Sequence, residues 1–339
     1  MKKNSITYFA ASALLCLAAL LRTAPAATEA APTTSTLSTK GSHMLQYEKV
    51  TTQTLDGFPL VIEMVYRTGV VRRHPVILML GTVTREDQPP WSADLLNEGY
   101  MLAAIRAERP PDPDPARRPQ WLFFDQRFAH GYARMGYEAP RDARSVFDYF
   151  RTRDDVDMAK IGWVGASSTG IPGLAVATQG PRLAAVVAFV STGAYRQWIE
   201  TWHTNKLWRG KTNELWPETE QLFKYDPILH VDGMFPTAVL MVSGGADLVV
   251  DPKTAQAFVQ AARRYYETDP DRLRLVIYDG VGHNLPTDII KMYVEHWMHL
   301  YMHPTLPPPP SAIAATDLKE SVKNTQITGA DHKELTGSK

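Results

Sequence analysis

The chain has 339 residues with 36 basic and 36 acidic side chains, so its formal net charge is zero. No basic stripe invites nucleic acid and no acidic tract invites a store of cations. A hydrophobic content of 44% is enough to bury a large core, and the roughly 260 residues left after trimming both ends suit one large α/β domain.

Lys2 and Lys3 precede an uncharged apolar run, "ITYFAASALLCLAALL" (6–21), and Ala24-Pro25-Ala26 offers an Ala-x-Ala cleavage site. Residues 1–26 therefore read as an export signal, which implies a secreted or periplasmic protein. The run falls short of the roughly 20 apolar residues a membrane span needs, so no stable membrane insertion is expected after cleavage. Cys16 is the only cysteine; a chain cleaved near Ala27 would carry no disulfide, no thiol nucleophile and no cysteine metal site. Residues 27–44 read as a flexible leader ending in "GSHM" (41–44), which resembles the scar of a cleaved affinity tag. At the other end, 304–339 is a proline stretch followed by a polar tail and is excluded from the fold.

Between 45 and 303, strand-like and helix-like runs alternate. "PVILMLG" (75–81) is a bare apolar run closed by glycine, as expected of a strand covered on both faces. "WSADLLNEGY" (91–100) has helical spacing, "MLAAIRA" (101–107) is the next strand, and "ERPPDPDPARRPQ" (108–120) is a loop rich in proline and arginine. "PRDARSVFDYFRTR" (140–153) places Ala143, Val146, Phe147 and Phe150 on one helical face. Further strands are expected at 160–165, 183–190, 237–244 and 272–280, with helices at 253–266 and 287–303. Repeated strand–helix alternation builds a mostly parallel sheet with helices on both faces. Chemistry in such sheets gathers at the carboxyl ends of the strands.

Just past three of those ends lie a serine pair, an acid and a histidine, in that order. Strand 160–165 runs into Ala166, Ser167 and Ser168; strand 237–244 runs into "GADLVVD" (245–251); strand 272–280 runs into "VGHN" (281–284). A serine hydroxyl is a weak nucleophile until an imidazole accepts its proton, and a carboxylate must hold that imidazole in one tautomer. Over about residues 55–303 the sequence resembles the α/β-hydrolase superfamily, through three motifs in the right chain order. The resemblance implies an α/β-hydrolase fold with a short lid insertion at 191–236, no cofactor, and a triad of Ser167, Asp247 and His283. "VDMAKIGWVGASSTG" (156–170) is similar to the family's nucleophile segment with Ser167 at the nucleophile. Thr169 stands where the family usually has glycine, and shifting the frame by one residue selects Ser168 instead. Asp251 is the nearest rival acid, but it abuts Pro252 and reads as a helix cap. The implied oxyanion donors are the backbone N–H of Ser168 and that of Thr82, with Val83 as the alternative to Thr82.

Within 191–236, Trp198, Trp202 and Trp208 read either as an aromatic wall over the serine, suited to an apolar acyl or alcohol group, or as packing of a lid against the body. His296, His299 and His303 recur on the last helix, but no second ligand cluster supports a metal. "GASSTG" lacks the lysine of a phosphate-binding loop. The expected protein is an exported serine hydrolase acting on a small-molecule carboxylic ester. Within the superfamily it looks similar to dienelactone-hydrolase-like and acetyl-esterase-like members and to prolyl-oligopeptidase-type catalytic domains. A serine peptidase is the first alternative and a non-catalytic binding protein on the same fold is the second.

Overall fold

A computed structural model of the protein describes residues 44–110, 126–204 and 215–303. The expected signal, leader and tail, most of the proline- and arginine-rich loop, and Trp208 lie outside the described residues. The strands are β1 (Leu45–Gln53), β2 (Pro59–Arg67), β3 (His74–Leu80), β4 (Met101–Ala107), β5 (Val156–Ala166), β6 (Ala185–Phe189), β7 (Ala238–Gly244) and β8 (Leu273–Tyr278). They form a single sheet in the order β1-β2-β4-β3-β5-β6-β7-β8. β2 runs antiparallel to both of its neighbours, and the remaining pairs from β4 to β8 are parallel. This is the α/β-hydrolase fold.

The central strands are apolar because helices cover both faces, leaving no solvent side for alternation to mark. β6 and β7 are buried at every residue. The helices are α1 (Ala93–Asn97), α2 (Gln126–Arg151), α3 (Gly170–Gln179), α4 (Tyr195–Thr204), α5 (Pro217–Leu222), α6 (Pro252–Ala262) and α7 (Thr287–Met302). Two features differ from expectation. The β1–β2 hairpin is not among the expected elements: β1 is a half-exposed edge strand with a polar face, whereas β2 is a largely buried run that carries Glu63 in its middle. The helix expected at 140–153 begins at Gln126. Pro140 is not in the first turn, where a missing N–H would be harmless. It lies instead in the buried interior of α2, whose first half also buries Phe128, Ala129, Tyr132 and Ala133.

That first half of α2 joins a second apolar cluster, separate from the main core beneath the sheet. It packs Phe128 and Tyr132 against Trp198, Ile199 and Trp202 of α4, Phe223, and Val250 from the loop after β7. The insertion is thus fastened to the body through the loop that carries Asp247. Among the described residues no helix is long and apolar enough to cross a membrane.

Candidate active site

β5 delivers Ser167 through a turn so tight that side chains are excluded around it. A Cβ on Gly165 would lie 2.2 Å from the Thr169 carbonyl oxygen, and one on Gly170 would lie 2.9 Å from the Gly165 carbonyl oxygen. Ser167 itself has a φ of +52°, a left-handed conformation that non-glycine residues adopt only when the surroundings impose it. Thr169 has a φ of −92°, so no glycine is needed there. Its hydroxyl closes the turn instead: Oγ1 accepts from the Ala166 N–H at 2.9 Å and donates to the Ala166 carbonyl at 2.9 Å. From β5, the indole N–H of Trp163 donates to the Thr169 carbonyl at 2.9 Å.

The structure brings Ser167, His283 and Asp247 into one hydrogen-bonded chain. His283 Nε2 lies 3.0 Å from Ser167 Oγ, and His283 Nδ1 lies 2.8 Å from Asp247 Oδ2. Ser168, the alternative in the shifted frame, is mostly buried and makes no such contact with His283. Asp247 is buried, and its other oxygen, Oδ1, accepts the N–H groups of Val249 at 2.8 Å and Val250 at 3.0 Å. Asp251 is the helix cap the sequence suggested; its carboxylate accepts the Lys253 N–H at 2.9 Å at the start of α6.

The acid loop and the histidine loop are sewn together by backbone. Gly245 N–H donates to Tyr278 O at 2.7 Å and Ala246 N–H donates to Val281 O at 2.8 Å. A Cβ on Gly244 would come within 2.2 Å of Gly282 O, so only glycine lets the loops approach this closely.

On the loop after β3, the two candidate oxyanion donors separate. Val83 is buried and its N–H donates to Glu63 Oε2 at 3.2 Å, while Thr82 is exposed beside Gly81 at φ of +113°. Glu63 lies on β2, buried, with Lys49 Nζ of β1 at 3.3 Å from Oε1. The Val83 donor is therefore already engaged by Glu63. Sequence reasoning missed Glu63, although a lone acid inside "PLVIEMVYR" was a visible signal.

Trp198 and Trp202 require a correction. Both are buried, at 2% and 0% exposure, with ring centroids 4.4 Å apart in an edge-on arrangement. Their indole N–H groups both aim at Val249 O, at 2.7 Å and 3.3 Å. They brace the acid loop from behind and do not present an open aromatic wall; a buried indole N–H needs an acceptor, and Val249 supplies it. The start of α4 is held by Asp226, whose carboxylate accepts the N–H groups of Tyr195 at 3.0 Å and Arg196 at 2.9 Å. Burial pushes the Asp226 carboxyl above its ordinary range, against those two hydrogen bonds. On α7, His299 bonds Glu98, and among the described residues no group of three His, Cys, Asp or Glu could hold a metal ion.

Comparisons with known proteins fit this geometry. A family model described as the prolyl oligopeptidase family matches residues 123–302, the stretch that contains Ser167, Asp247 and His283. A sequence search of curated proteins finds no match. Among solved structures, a prolyl endopeptidase superposes with a TM-score of 0.56 at 21% identity, covering 76% of this chain. The chain spans only 38% of that endopeptidase's length. The acetyl xylan esterase from Paenibacillus sp. R4 superposes with a TM-score of 0.53 at 16% identity, covering 88% of this chain and 95% of the esterase. TT1662 from Thermus thermophilus gives a TM-score of 0.53 at 19% identity over 75% of this chain and 98% of its own. At such identities the likeness speaks to the fold.

Proposed function

Because this chain belongs to the prolyl oligopeptidase family of serine hydrolases, we propose that it hydrolyses carboxylic esters through an acyl-enzyme on Ser167. The observation that carries this reading is the pair of hydrogen bonds linking Ser167 Oγ, His283 and Asp247. In the proposed cycle His283 Nε2 takes the Ser167 proton as Oγ attacks the ester carbonyl carbon. The oxyanion is received by the N–H groups of Ser168 and Thr82. Collapse of the tetrahedral intermediate breaks the C–O bond to the alcohol, which leaves with the proton from His283. Water then attacks the acyl-enzyme, losing its proton to the same histidine, and the carboxylic acid departs as Ser167 is reprotonated. Asp247 holds His283 with its proton on Nδ1 throughout.

Two features support ester over peptide. The chain superposes over 95% of an acetyl xylan esterase but over only 38% of a prolyl endopeptidase. An alkoxide is also an easier leaving group than the anion of an unprotonated amine, so ester cleavage asks less of the same triad. The name of the family and a prolyl endopeptidase among the structural neighbours favour a second reading, a serine peptidase.

Fluorophosphonate labelling of the native protein tests the nucleophile: absence of labelling, or labelling that survives Ser167→Ala, contradicts the proposal. A panel of p-nitrophenyl esters set against aminoacyl-anilides separates the two substrate classes. Faster turnover of the anilides would make the chain a peptidase. We also propose export on the strength of residues 1–26; a mature N-terminus near Ala27 in protein recovered outside the cytoplasm is the expected result.

A further inference from the structure

Among the described residues, two non-glycine positions take a left-handed backbone: Ser167 at φ of +52° and Val190 at φ of +41°. For a β-branched residue this is a genuine outlier, held only where its surroundings over-determine it. The two outliers share one register position. The last parallel pair of β5 and β6 is Ala166 with Phe189, and Ser167 and Val190 immediately follow the two strands. Val190 N–H remains bonded to Val242 O of β7 at 2.7 Å, so the ladder holds the residue in place while its φ absorbs the turn.

What this second elbow delivers is Ser191. Its side chain is fully buried, and its Oγ lies 3.0 Å from Ser167 O and 2.7 Å from Phe189 O. A hydroxyl carries one proton, and here that proton faces two carbonyls. A Cβ on Gly170 would sit 2.3 Å from this Oγ, so the glycine is what admits the hydroxyl to the nucleophile turn.

The carbonyl of Ser167 and the N–H of Ser168 belong to the same rigid trans peptide and point in opposite directions. The part of that donation that reaches Ser167 O, shared with the nearer Phe189 O, restrains the plane from which the Ser168 N–H projects and polarises that N–H as a donor. We propose that Ser191 is a positioning residue that aims the Ser168 N–H at the oxyanion, with the left-handed turn at Val190 as the device that brings it there. This rests on the serine hydrolase reading above. The interaction matters most when charge develops on the substrate oxygen, so its loss falls on kcat and leaves KM alone.

The test compares Ser191→Ala, Ser191→Cys and the neighbouring control Thr192→Val in the full chain. Thr192 is equally buried, but its hydroxyl accepts from Ala194 N–H and does not touch the nucleophile turn. With p-nitrophenyl acetate, Ser191→Ala is expected to lower kcat by about 10- to 100-fold with KM within about twofold, and to weaken a boronic acid transition-state analogue by a similar factor. Ser191→Cys keeps a side chain of the same shape with a larger atom and a weak donor and should be impaired likewise, while Thr192→Val retains wild-type kcat. Folding of each variant is checked by its thermal transition. Wild-type kcat in both Ser191 variants overturns the inference, as does an equal fall in Thr192→Val. Loss of fold in both Ser191 variants beside a folded Thr192→Val would make Ser191 a folding residue and also overturn it. Wild-type protein that neither labels with fluorophosphonate nor turns over any ester refutes the hydrolase reading itself, and the inference with it.

Discussion

Replacing Asp247 by Asn probes the site without removing any shape from it. The Asn oxygen must take the place of Oδ1, because the N–H groups of Val249 and Val250 point there at 2.8 Å and 3.0 Å and require an acceptor. The amide NH2 then takes the Oδ2 place and faces His283 Nδ1, now 2.8 Å from a donor. Nδ1 becomes an acceptor, so the imidazole proton moves to Nε2, the nitrogen 3.0 Å from Ser167 Oγ. An imidazole protonated there cannot accept the serine proton. A triad held in the wrong tautomer loses about 10⁴ in kcat, or about 5.4 kcal/mol at 1.36 kcal/mol per decade. The loop loses no backbone hydrogen bond, so the thermal transition should stay within a few degrees of wild type. Steady-state hydrolysis of a p-nitrophenyl ester, with fluorophosphonate labelling rates in parallel, measures the effect. Turnover within about tenfold of wild type would refute the reasoning, since either the amide orientation or the role of Asp247 would then be wrong.

Other outcomes follow from the same geometry. Ser168→Ala should keep covalent labelling that Ser167→Ala abolishes, because the N–H of Ser168 is used and its hydroxyl is not; the reverse pattern moves the nucleophile by one residue. Thr169→Gly installs the residue usual at that position, yet it should destabilise by about 2 kcal/mol in urea unfolding, from lost hydroxyl hydrogen bonds and added chain entropy. A more stable Thr169→Gly would contradict the role assigned to Oγ1. Trp202→Ala empties a fully buried site and should cost about 3–5 kcal/mol of stability. It should also lower kcat through the Asp247 loop, so a calorimetric transition unchanged from wild type would argue against bracing. The Arg153 guanidinium donates to both carboxylate oxygens of Asp155, at 2.8 Å and 2.7 Å, and also to Glu48; Arg153→Met is expected to lower the thermal transition more at pH 7 than at pH 3. Burial pushes the Asp155 carboxyl up, but the hydrogen bonds and charge of Arg153 win and hold it below its usual range. A depressed carboxylate stabilises the fold above its unfolded pKa, about 3.9, and that contribution fades as pH falls through the lower folded value. An Arg153→Met deficit that did not shrink in acid would count against the pairing.

Much of this protein was written locally. A strand covered on both faces must be apolar throughout, so β3, β4, β6 and β7 stand out as runs, and the residues just past β5, β7 and β8 are read directly. Asp251 before Pro252 is a helix cap because its partner is two residues away. Even the small residues flanking Ser167 announce a crowded turn. Tertiary structure decided what depends on partners far along the chain. Ser167 rather than Ser168 meets His283, 116 positions away, because the left-handed turn at 167 turns one hydroxyl toward the imidazole. Val83 N–H is engaged by a carboxylate on β2, 20 positions before it. Trp198 and Trp202 look alike as lid or pocket residues until Val249, 51 and 47 positions on, takes both indole N–H groups. Ser191 carried no signal at all, being one hydroxyl among several after a buried strand. Runs and caps are set by neighbours in sequence, whereas the direction of a single N–H or hydroxyl is set by whichever acceptor the fold brings opposite it.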